Sequence, residues 1–356
     1  MCKSIKTKLK LNNKQKTILA KHAGVARHAY NWGLATSISE YEQTKKCPSA
    51  ITLHKRLVAE VKSQNPWYYE VSKCAPQQAL RDLDRAFRNF LTIQGRGFPK
   101  FKKKGKKDSF YLEGSIKIVQ GNYIKLPRIG IVKSHEILPS VPVKNVRISK
   151  RADNWYISFK YENEPTHTAK KRDVIGVDVG INTLATCSDG TPFANPKAYQ
   201  QAKKRLTRAQ RRVSKKKLGS KNRAKAVQRL AKTHKRVSDI RADKLHQLTT
   251  WLAKNHSTIV IEDLNVSGML KNHKLASAIA DCGFYEFKRQ LTYKCEWYGS
   301  ELVIAPRFYP SSQICSNCGY QQKMPLNVRT YKCSECGFTA QRDFNAAVNL
   351  ENYIYQ

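Results

Sequence analysis

Acidic residues are scarce in this sequence. Among its 356 residues, Asp and Glu together number 26 whereas Lys and Arg number 66, so the formal net charge is +40. A compact protein with this excess repels itself, and binding a polyanion relieves the repulsion. Nucleic acid fits best, because each phosphate that is neutralised also releases counterions. The shortage of acids therefore predicts a nucleic-acid partner, with an anionic membrane surface as the weaker alternative.

The sequence also lacks the features of membrane and secreted proteins. It shows no long apolar helix, no lipidation motif and no signal peptide before its first strand. Hydrophobic residues make up 40% of the chain, as in a globular protein, and the length allows two or three domains. We therefore expect a cytoplasmic protein with no membrane partner.

The ten cysteines do not form the pattern of a disulfide framework. Six are scattered, and the other four form two Cys-x-x-Cys pairs, each followed by Gly: Cys315 with Cys318, and Cys333 with Cys336. Four thiolates at this spacing are typical of a tetrahedral Zn²⁺ site, whereas a redox dithiol would need only one pair. Free structural cysteines are the other alternative. We predict one closed, structural zinc site in a reducing compartment.

An apolar run at residues 174–179 is interrupted by Asp178. Such a run is typical of a strand buried on both faces, where a carboxylate is costly unless something compensates it. Gly176 and Gly180 leave room for another backbone or a ligand to approach. Taken alone, Asp178 can equally be a structural aspartate held by backbone amides at the end of a strand.

Two further acids occupy comparable places. Glu262 follows the apolar residues 259–261, and Asp343 stands at the N-cap or first turn of a predicted last helix. Ligands gather at the carboxyl ends of strands in open α/β sheets, and three converging acids suit Mg²⁺ or Mn²⁺. Two such ions about 4 Å apart stabilise the attacking and leaving oxygens of a phosphodiester. We predict that Asp178, Glu262 and Asp343 are catalytic and hold two Mg²⁺ ions.

Positive charge is concentrated in two segments. Residues 98–107 are a Gly- and Pro-flanked basic stretch, read either as a solvated loop or as an arm that follows a nucleic-acid backbone. Residues 197–244 contain 19 Lys or Arg and two Asp, and their apolar positions predict a helical hairpin with one packed face. The predicted nucleic-acid-binding residues are Lys100, Lys102, Lys103, Lys104, Lys106, Arg208, Arg211, Arg212, Lys215, Lys216 and Arg342.

The first part of the chain combines strands and helices. Residues 3–11 alternate between apolar and basic side chains, residues 13–95 have helical periodicity, and residues 110–161 return to strands. We expect the first strand and the later ones to form one barrel. The apolar stripe expected to face inward on the helix at 77–91 consists of Leu80, Leu83, Phe87, Phe90 and Leu91.

Aromatic residues at positions 67–69 follow Pro66 between two predicted helices. Packing is the interpretation that this pattern favours, and stacking on bases is the weaker alternative.

The three acidic motifs resemble those of a RuvC-type nuclease with a ribonuclease-H-like fold. They comprise Asp178 after its strand, Ile-Glu-Asp-Leu around Glu262, and Arg-Asp-Phe-Asn-Ala-Ala around Asp343. Their order and the zinc ribbon before the third motif resemble the TnpB (OrfB) family of insertion-sequence proteins, relatives of the type V CRISPR effectors. The Gln-Ala-Leu-Arg-Asp-Leu-Asp helix at 78–84 and the basic stretch after it resemble TnpB as well.

The resemblance implies a multidomain α+β fold. It consists of a β-barrel wedge with an inserted helical recognition domain, a RuvC-like α/β nuclease domain and a zinc ribbon. The implied bounds are 1–12 and 96–168 for the wedge, 13–95 for the recognition domain, 169–308 and 341–356 for the nuclease domain, and 309–340 for the ribbon.

The resemblance also implies an activity. The expected protein is a prokaryotic, RNA-guided endonuclease that takes a guide (ωRNA) from the end of its own transposon. It would cleave double-stranded DNA beside a short flanking motif, with one protein monomer per RNA. Because Asp178, Glu262 and Asp343 are all present, we expect an active enzyme.

Three rival interpretations remain at this point. A DDE-like transposase would join DNA strands without RNA, and copurified RNA would distinguish it. An idle RNA-guided binding protein would lack Mg²⁺-dependent cleavage. A compact type V CRISPR effector would be accompanied by a repeat array.

Overall fold

The computed structural model describes residues 2–325 and 327–355. The chain forms two compact units, with the division between Asn163 and Glu164. None of the helices in the described ranges is sufficiently long and apolar to traverse a lipid bilayer.

The first unit starts with β1 (Cys2–Lys10) and continues with a helical segment. Asn12 and Gln15 cap α1 reciprocally: each side chain accepts a hydrogen bond from the other's backbone N–H, at 2.8 and 3.1 Å. The helices are α1 (Asn13–Thr44), α2 (Ala50–Arg56) and α3 (Cys74–Thr92), with a π-helical turn (Leu57–Lys62) and a 3-10 turn (Pro66–Glu70) before α3. The helical periodicity predicted over 13–95 is confirmed.

The strands after this segment are β2 (Ser109–Glu113), β3 (Lys117–Ile118), β4 (Tyr123–Leu126), β5 (Gly130–Ser134), β6 (Asn145–Arg151) and β7 (Asn154–Glu162). They form one antiparallel sheet with β1, in the order β2-β6-β7-β1-β5-β4-β3. The outer strands β2 and β3 are not paired with each other in the described residues. The hydrogen bonds therefore define a seven-stranded sheet, and its closure into one barrel stays a prediction.

The core of this unit lies between the sheet and helices α1 and α3. Leu80 and Leu83 of α3 are fully buried there, as predicted. Phe90 and Leu91 were predicted to face inward, but they are 38% and 78% exposed. The last turn of α3 runs past the core, and Phe90 contacts the ring of Phe98 instead, at 5.4 Å between centroids.

The second unit is built on a mixed sheet. Its strands in this part of the chain are β8 (Arg172–Asp178), β9 (Thr183–Cys187), β10 (Pro192–Ala194), β11 (His256–Glu262) and β12 (Glu301–Ala305). The order is β10-β9-β8-β11-β12, and β8, β11 and β12 run parallel. The helices up to β12 are α4 (Ala198–Ser214), α5 (Lys221–Asn255), α6 (Val266–Met269), α7 (Ala276–Cys282) and α8 (Phe284–Tyr298).

A small hairpin and a last helix follow β12. They are β13 (Thr330–Lys332), β14 (Thr339–Gln341) and α9 (Arg342–Asn352). Ile175 and Val177 of β8 pack on the side of α5 and α8, whereas Val174 packs on the side of α9. The sheet is therefore covered on both faces, which explains the nearly continuous apolar run of β8.

Candidate active site

The first two predicted acids lie at one edge of the sheet. β8 ends at Asp178 and β11 ends at Glu262. The two strands are parallel neighbours, with Val177 opposite Ile261, so the acids follow at equivalent positions. The fold therefore places both carboxylates at the carboxyl ends of adjacent strands, where ligands of such sheets bind.

The third acid comes from α9, and a glycine allows that helix to approach. Asp343 is in the first turn of α9. A Cβ atom on Gly176 would lie 2.0 Å from the carbonyl oxygen of Ala347 and 2.5 Å from the amide nitrogen of Glu351. The backbone of α9 thus packs directly on β8, as the sequence predicted for Gly176.

The pKa of Asp178 shows that the three carboxylates interact. Burial, followed by the negative charges of Glu262 and Asp343, raises the pKa of Asp178 to about 8. The positive charge of Arg342 and a backbone hydrogen bond from Val179 oppose this rise. Without a cation, the site therefore disfavours ionisation of Asp178, and a bound divalent ion would favour it.

Ser311, in the segment after β12, forms a hydrogen bond with Glu262. Its hydroxyl donates a hydrogen bond to the Glu262 carboxylate, which partly offsets the rise in the pKa of Glu262 caused by burial. Ser311 is itself 3% exposed, and its carbonyl oxygen accepts a hydrogen bond from Asn349 Nδ2 at 2.7 Å. Sequence reasoning missed Ser311.

Two buried asparagines, four residues apart on α9, join this helix to the first cysteine knuckle. Asn349 Nδ2 and Asn345 Nδ2 each donate to the carbonyl oxygen of Ile314, at 2.7 Å. The amide of Ser316 donates to Asn345 Oδ1 at 3.0 Å. Since residues at i and i+4 share a helix face, the spacing of these asparagines was a signal in the sequence.

The structure does not support the predicted nucleic-acid role of Arg342. Its side chain is 9% exposed, and its guanidinium donates to the carbonyl oxygen of Pro325 at 3.0 Å and to Ser312 Oγ at 3.2 Å. Arg342 therefore serves as an internal cation that ties α9 to the ribbon segment. An exposed cation near the third acid is Arg329, which lies 4.0 Å from Asp343. Sequence reasoning missed Arg329.

The four predicted zinc ligands come together. The sulfur atoms of Cys315, Cys318, Cys333 and Cys336 all lie within 4.8 Å of one another. Cys315 is 3.7 Å from Cys336, and Cys318 is 3.7 Å from Cys333. A tetrahedron with Zn–S bonds of about 2.3 Å has edges of about 3.8 Å, so the donor set fits Zn²⁺.

The metal ions expected at the three acids stay a prediction. In the described residues the cysteine group is the one whose ligand atoms all lie within 4.8 Å of one another, and the three acids do not form such a group. Carboxylate oxygens are ligands that hard ions such as Mg²⁺ prefer. The next acid, Asp263, is occupied by ion pairs with Lys288 at 2.9 Å and Arg307 at 2.7 Å.

The predicted basic residues at 208–216, on α4 and just after its end, are exposed, and two of them line a groove with residues of α5. Arg208, Arg211, Arg212, Lys215 and Lys216 are all exposed. Arg208 and Arg212 line a groove of about 740 Å³, whose other cationic residues are Lys204, Arg205, Arg229, Lys232 and Arg236. No acidic side chain lines this groove in the described residues.

The basic stretch at 98–107 has neither helix nor strand, as predicted, and Lys100, Lys103, Lys104 and Lys106 are exposed on it. Lys102 differs from them. Its ammonium lies 3.7 Å from the centroid of the Tyr30 ring, and burial of the ammonium lowers the pKa of Lys102. Lys102 thus anchors the stretch to α1, although the residue as a whole is exposed.

Comparison with known proteins connects these features. Three family models match the chain: "Probable transposase" (OrfB_IS605) over residues 158–273, "Cas12f1-like, TNB domain" over 284–350, and "Helix-turn-helix domain" (HTH_OrfB_IS605) over 1–46. A Streptomyces pristinaespiralis protein named "Putative RNA-guided DNA endonuclease" is 36% identical over 346 residues, which is 95% of this chain and 86% of the relative.

The chain belongs to the TnpB (OrfB) family. A second relative in this family, from Escherichia coli K12, is named "Putative RNA-guided DNA endonuclease InsQ". It is 34% identical over an alignment of 371 residues, covering 98% of this chain and 91% of the relative. The resemblance that the acidic motifs and the cysteine ribbon predicted is thereby confirmed.

The TnpB fold of this chain is shared with a solved effector. A Cas12f1 chain, determined by cryo-EM in complex with single guide RNA and target DNA, superposes with a TM-score of 0.59 at 13% identity. The match covers 99% of each chain. At this identity the match shows the fold alone, a multidomain α/β architecture like that of the compact effectors.

Proposed function

We propose that this TnpB protein is an RNA-guided, divalent-metal-dependent endonuclease of the RuvC type. It would take its guide, an ωRNA, from the end of its own insertion sequence and cleave double-stranded DNA beside a short flanking motif. The observation that carries the proposal is geometric: Asp178 and Glu262 end adjacent parallel strands, and Asp343 is in the first turn of α9, the helix that packs on β8. Relatives that align over nearly the whole chain are named for this activity.

The three acids would hold the ions together. Asp178, whose pKa responds to the charges of both other acids, would be one ligand, and Glu262 and Asp343 would complete the ligand set. Two bound ions would supply the positive charge that stabilises the attacking and leaving oxygens of the phosphodiester. Ser311 orients Glu262, and α9 sets the position of Asp343 through its close packing on β8.

The basic surfaces would bind the RNA and the DNA. The groove between α4 and α5, which no acidic side chain lines in the described residues, and the exposed lysines of the stretch at 98–107 suit phosphate backbones. Four cysteines would hold one structural Zn²⁺ that keeps the ribbon on α9. We also propose the four-domain division predicted above, and a single protein chain per RNA.

The experiment starts from the full chain, expressed with its flanking element and purified with bound nucleic acid. We expect a discrete RNA species, and cleavage of DNA matching its guide in Mg²⁺ but not in EDTA. Asp178→Asn should reduce cleavage by about 10³-fold or more while RNA binding stays within twofold, because the ion ligands are lost and the RNA surface is kept.

Asp173→Asn is the matched control. Asp173 is exposed near the start of the same strand, β8, and the substitution should leave cleavage unchanged. Cleavage at the wild-type rate by Asp178→Asn would refute the assignment of the acids. A wild-type protein that purifies with no RNA yet joins DNA strands would show a transposase instead.

A compact type V CRISPR effector is the second candidate, favoured by the Cas12f1 fold match and the matching TNB-domain model. Sequencing the bound RNA separates the two. Guide RNA derived from the transposon end supports the TnpB function, whereas RNA processed from a repeat array supports the CRISPR effector.

A further inference from the structure

A hollow in the first unit lies between α1 and the 3-10 turn Pro66–Glu70. Its volume is about 520 Å³, and it is lined by Gly24, Arg27, His28, Asn31, Trp32 and Trp67. Its floor is open at Gly24, where an added Cβ would meet no atom closer than 4.0 Å. An aromatic-walled space on a strongly basic protein has the dimensions and chemistry to receive a planar heterocycle.

The indole of Trp67 is held in place although 38% of the residue is exposed. Its Nε1 donates to Asn65 Oδ1 at 3.1 Å. The ring of Tyr68 lies 4.5 Å away between centroids, and the ring of His28 meets the indole edge-on at 5.1 Å. His28 is fixed in turn by a 2.7 Å hydrogen bond between its Nδ1 and the hydroxyl of Tyr68. Trp67 is therefore an ordered aromatic surface that is still accessible.

The wall of the hollow also anchors the basic stretch. Asn31 Nδ2 donates to the carbonyl oxygen of Lys102 at 3.0 Å, and the amide of Lys102 donates to Asn31 Oδ1 at 2.8 Å. Arg27 pairs with Asp108 at 3.2 Å, and the same carboxylate accepts from the amide of Gly105. The stretch is thus tied to the rim at its middle, through Lys102, and near its carboxyl end, through Gly105 and Asp108, so its exposed lysines are held beside the hollow.

The polar groups of the hollow are already occupied. Asn31 and Arg27 are engaged with the basic stretch, and burial together with the charge of Arg27 lowers the pKa of His28. Recognition in the hollow would therefore depend on stacking, and the charge would come from the neighbouring lysines. Stacking on aromatic side chains tolerates any base, because each base has a π face.

We propose that this hollow binds an unpaired RNA base stacked on Trp67 while the lysines of the 98–107 stretch bind the adjoining phosphates. The choice of RNA rests on the proposed function, which makes RNA a resident partner. Proteins recognise RNA mainly through splayed-out bases that stack on aromatic side chains. A base of duplex DNA would first have to be unpaired and flipped out.

The test compares Trp67→Ala with Trp67→Phe and with Tyr69→Ala, in the full chain. Tyr69 is the matched control, because it is 57% exposed in the same 3-10 turn but does not line the hollow. The probes are an unstructured RNA that carries 2-aminopurine and a duplex DNA of the same length. All variants carry Asp178→Asn, so cleavage does not disturb the measurement.

We expect Trp67→Ala to weaken RNA binding by about 5- to 100-fold and to abolish the quenching of 2-aminopurine on binding. Trp67→Phe should retain most of the affinity, and Tyr69→Ala should bind like the parent. Lys103→Ala with Lys104→Ala should lower the salt dependence of binding, whereas Trp67→Ala should leave the salt dependence unchanged. Thermal unfolding curves would show that the variants are folded.

Unchanged RNA affinity in Trp67→Ala would overturn the proposal, and so would an equal loss in Tyr69→Ala. A loss confined to duplex DNA would overturn it in favour of a DNA contact. These outcomes are separate from the nuclease proposal: a wild-type protein that binds RNA through Trp67 but never cleaves DNA would refute only the nuclease.

Discussion

At the scale of single residues, the acids of the candidate site depend on neutral side chains from distant parts of the sequence. Ser311 donates to Glu262 from 49 residues away, and Asn349 holds the Ser311 backbone from 38 residues further along. Packing of α9 on the sheet brings Glu262, Ser311 and Asn349 together. Their arrangement makes Ser311 a positioning residue for Glu262, which we propose as a metal ligand.

Ser311→Ala should weaken Mn²⁺ binding and DNA cleavage by about 10- to 100-fold, the usual cost of losing a partner of a metal ligand. The reason is that Glu262 would lose the hydrogen bond that favours its ionised form. Electron paramagnetic resonance of Mn²⁺ measures the affinity independently of cleavage. Ser311→Thr keeps a hydroxyl and should restore most of the affinity; equal losses in both variants would indicate a packing role only.

The sequence was informative for residues whose chemistry is unusual for their surroundings. Asp178 interrupts an apolar strand and the cysteines have metal-ligand spacing, so each could be found without a fold. Ser311 and Arg329 have no such local signal, because their roles arise only from tertiary contacts. The burial of Arg342, which we predicted to bind nucleic acid, likewise arises only from tertiary packing.

At the scale of elements, the contact between α9 and β8 fixes the distance from Asp343 to the other acids. The helix backbone is close enough that no side chain fits at Gly176. The neighbouring atoms belong to the backbone of α9, so they cannot move aside as the end of a flexible side chain would.

Gly176→Ala should lower the free energy of unfolding of the second unit by about 3 kcal/mol, as for severe overpacking. It should also reduce cleavage, since α9 would shift away from β8. Denaturant unfolding and a cleavage assay measure the two effects. Gly97→Ala is the control, because nothing lies within 4 Å of a Cβ at that position; equal stability of both variants would contradict the close packing.

Cys333→Ser should remove the structural Zn²⁺ and loosen α9, because the knuckle at Cys315 is hydrogen bonded to that helix. We expect zinc content to fall from one per chain to near zero and hydrogen exchange of α9 amides to accelerate. Cys47→Ser, at an exposed cysteine outside the ribbon, should change neither quantity. Loss of cleavage with full zinc content would point to another role for Cys333.

Element boundaries were predicted well where the periodicity was strong. The helices predicted within 13–95 and the strands predicted within 110–161 are observed as α1 to α3 and β2 to β7. The end of α3 did not match its prediction, because the apolar stripe of this helix continues beyond the surface that could cover it. Whether the first sheet closes into a barrel depends on which strands meet at its edges, and no sequence pattern specifies that.

At the scale of the whole molecule, the excess of positive charge is distributed between both units. The basic stretch at 98–107 belongs to the first unit and the groove between α4 and α5 belongs to the second. A net charge of +40 therefore supports binding along an extended polyanion rather than at a single point.

Replacing Arg208 and Arg212 by Gln should lower the steepness of the salt dependence of single-stranded RNA binding. Each lost phosphate contact reduces the log–log slope by about 0.7, so the pair should reduce it by about 1.4. Filter binding between 50 and 300 mM salt, a range of about sixfold, measures the slope. Thr207→Ala on the same helix should leave it unchanged, and an unaltered slope in the Gln variant would exclude the groove as a phosphate site.

The central position of β1 in its sheet has a consequence for synthesis on the ribosome. β1 is translated before its neighbours β5 and β7, which end at Ser134 and Glu162. At about 5–20 residues per second, roughly ten to thirty seconds pass before both edges of this strand can be paired. Helices α1 to α3 emerge during that interval. The nascent chain would need these helices, or a chaperone, to shield β1 until β5 and β7 have been translated.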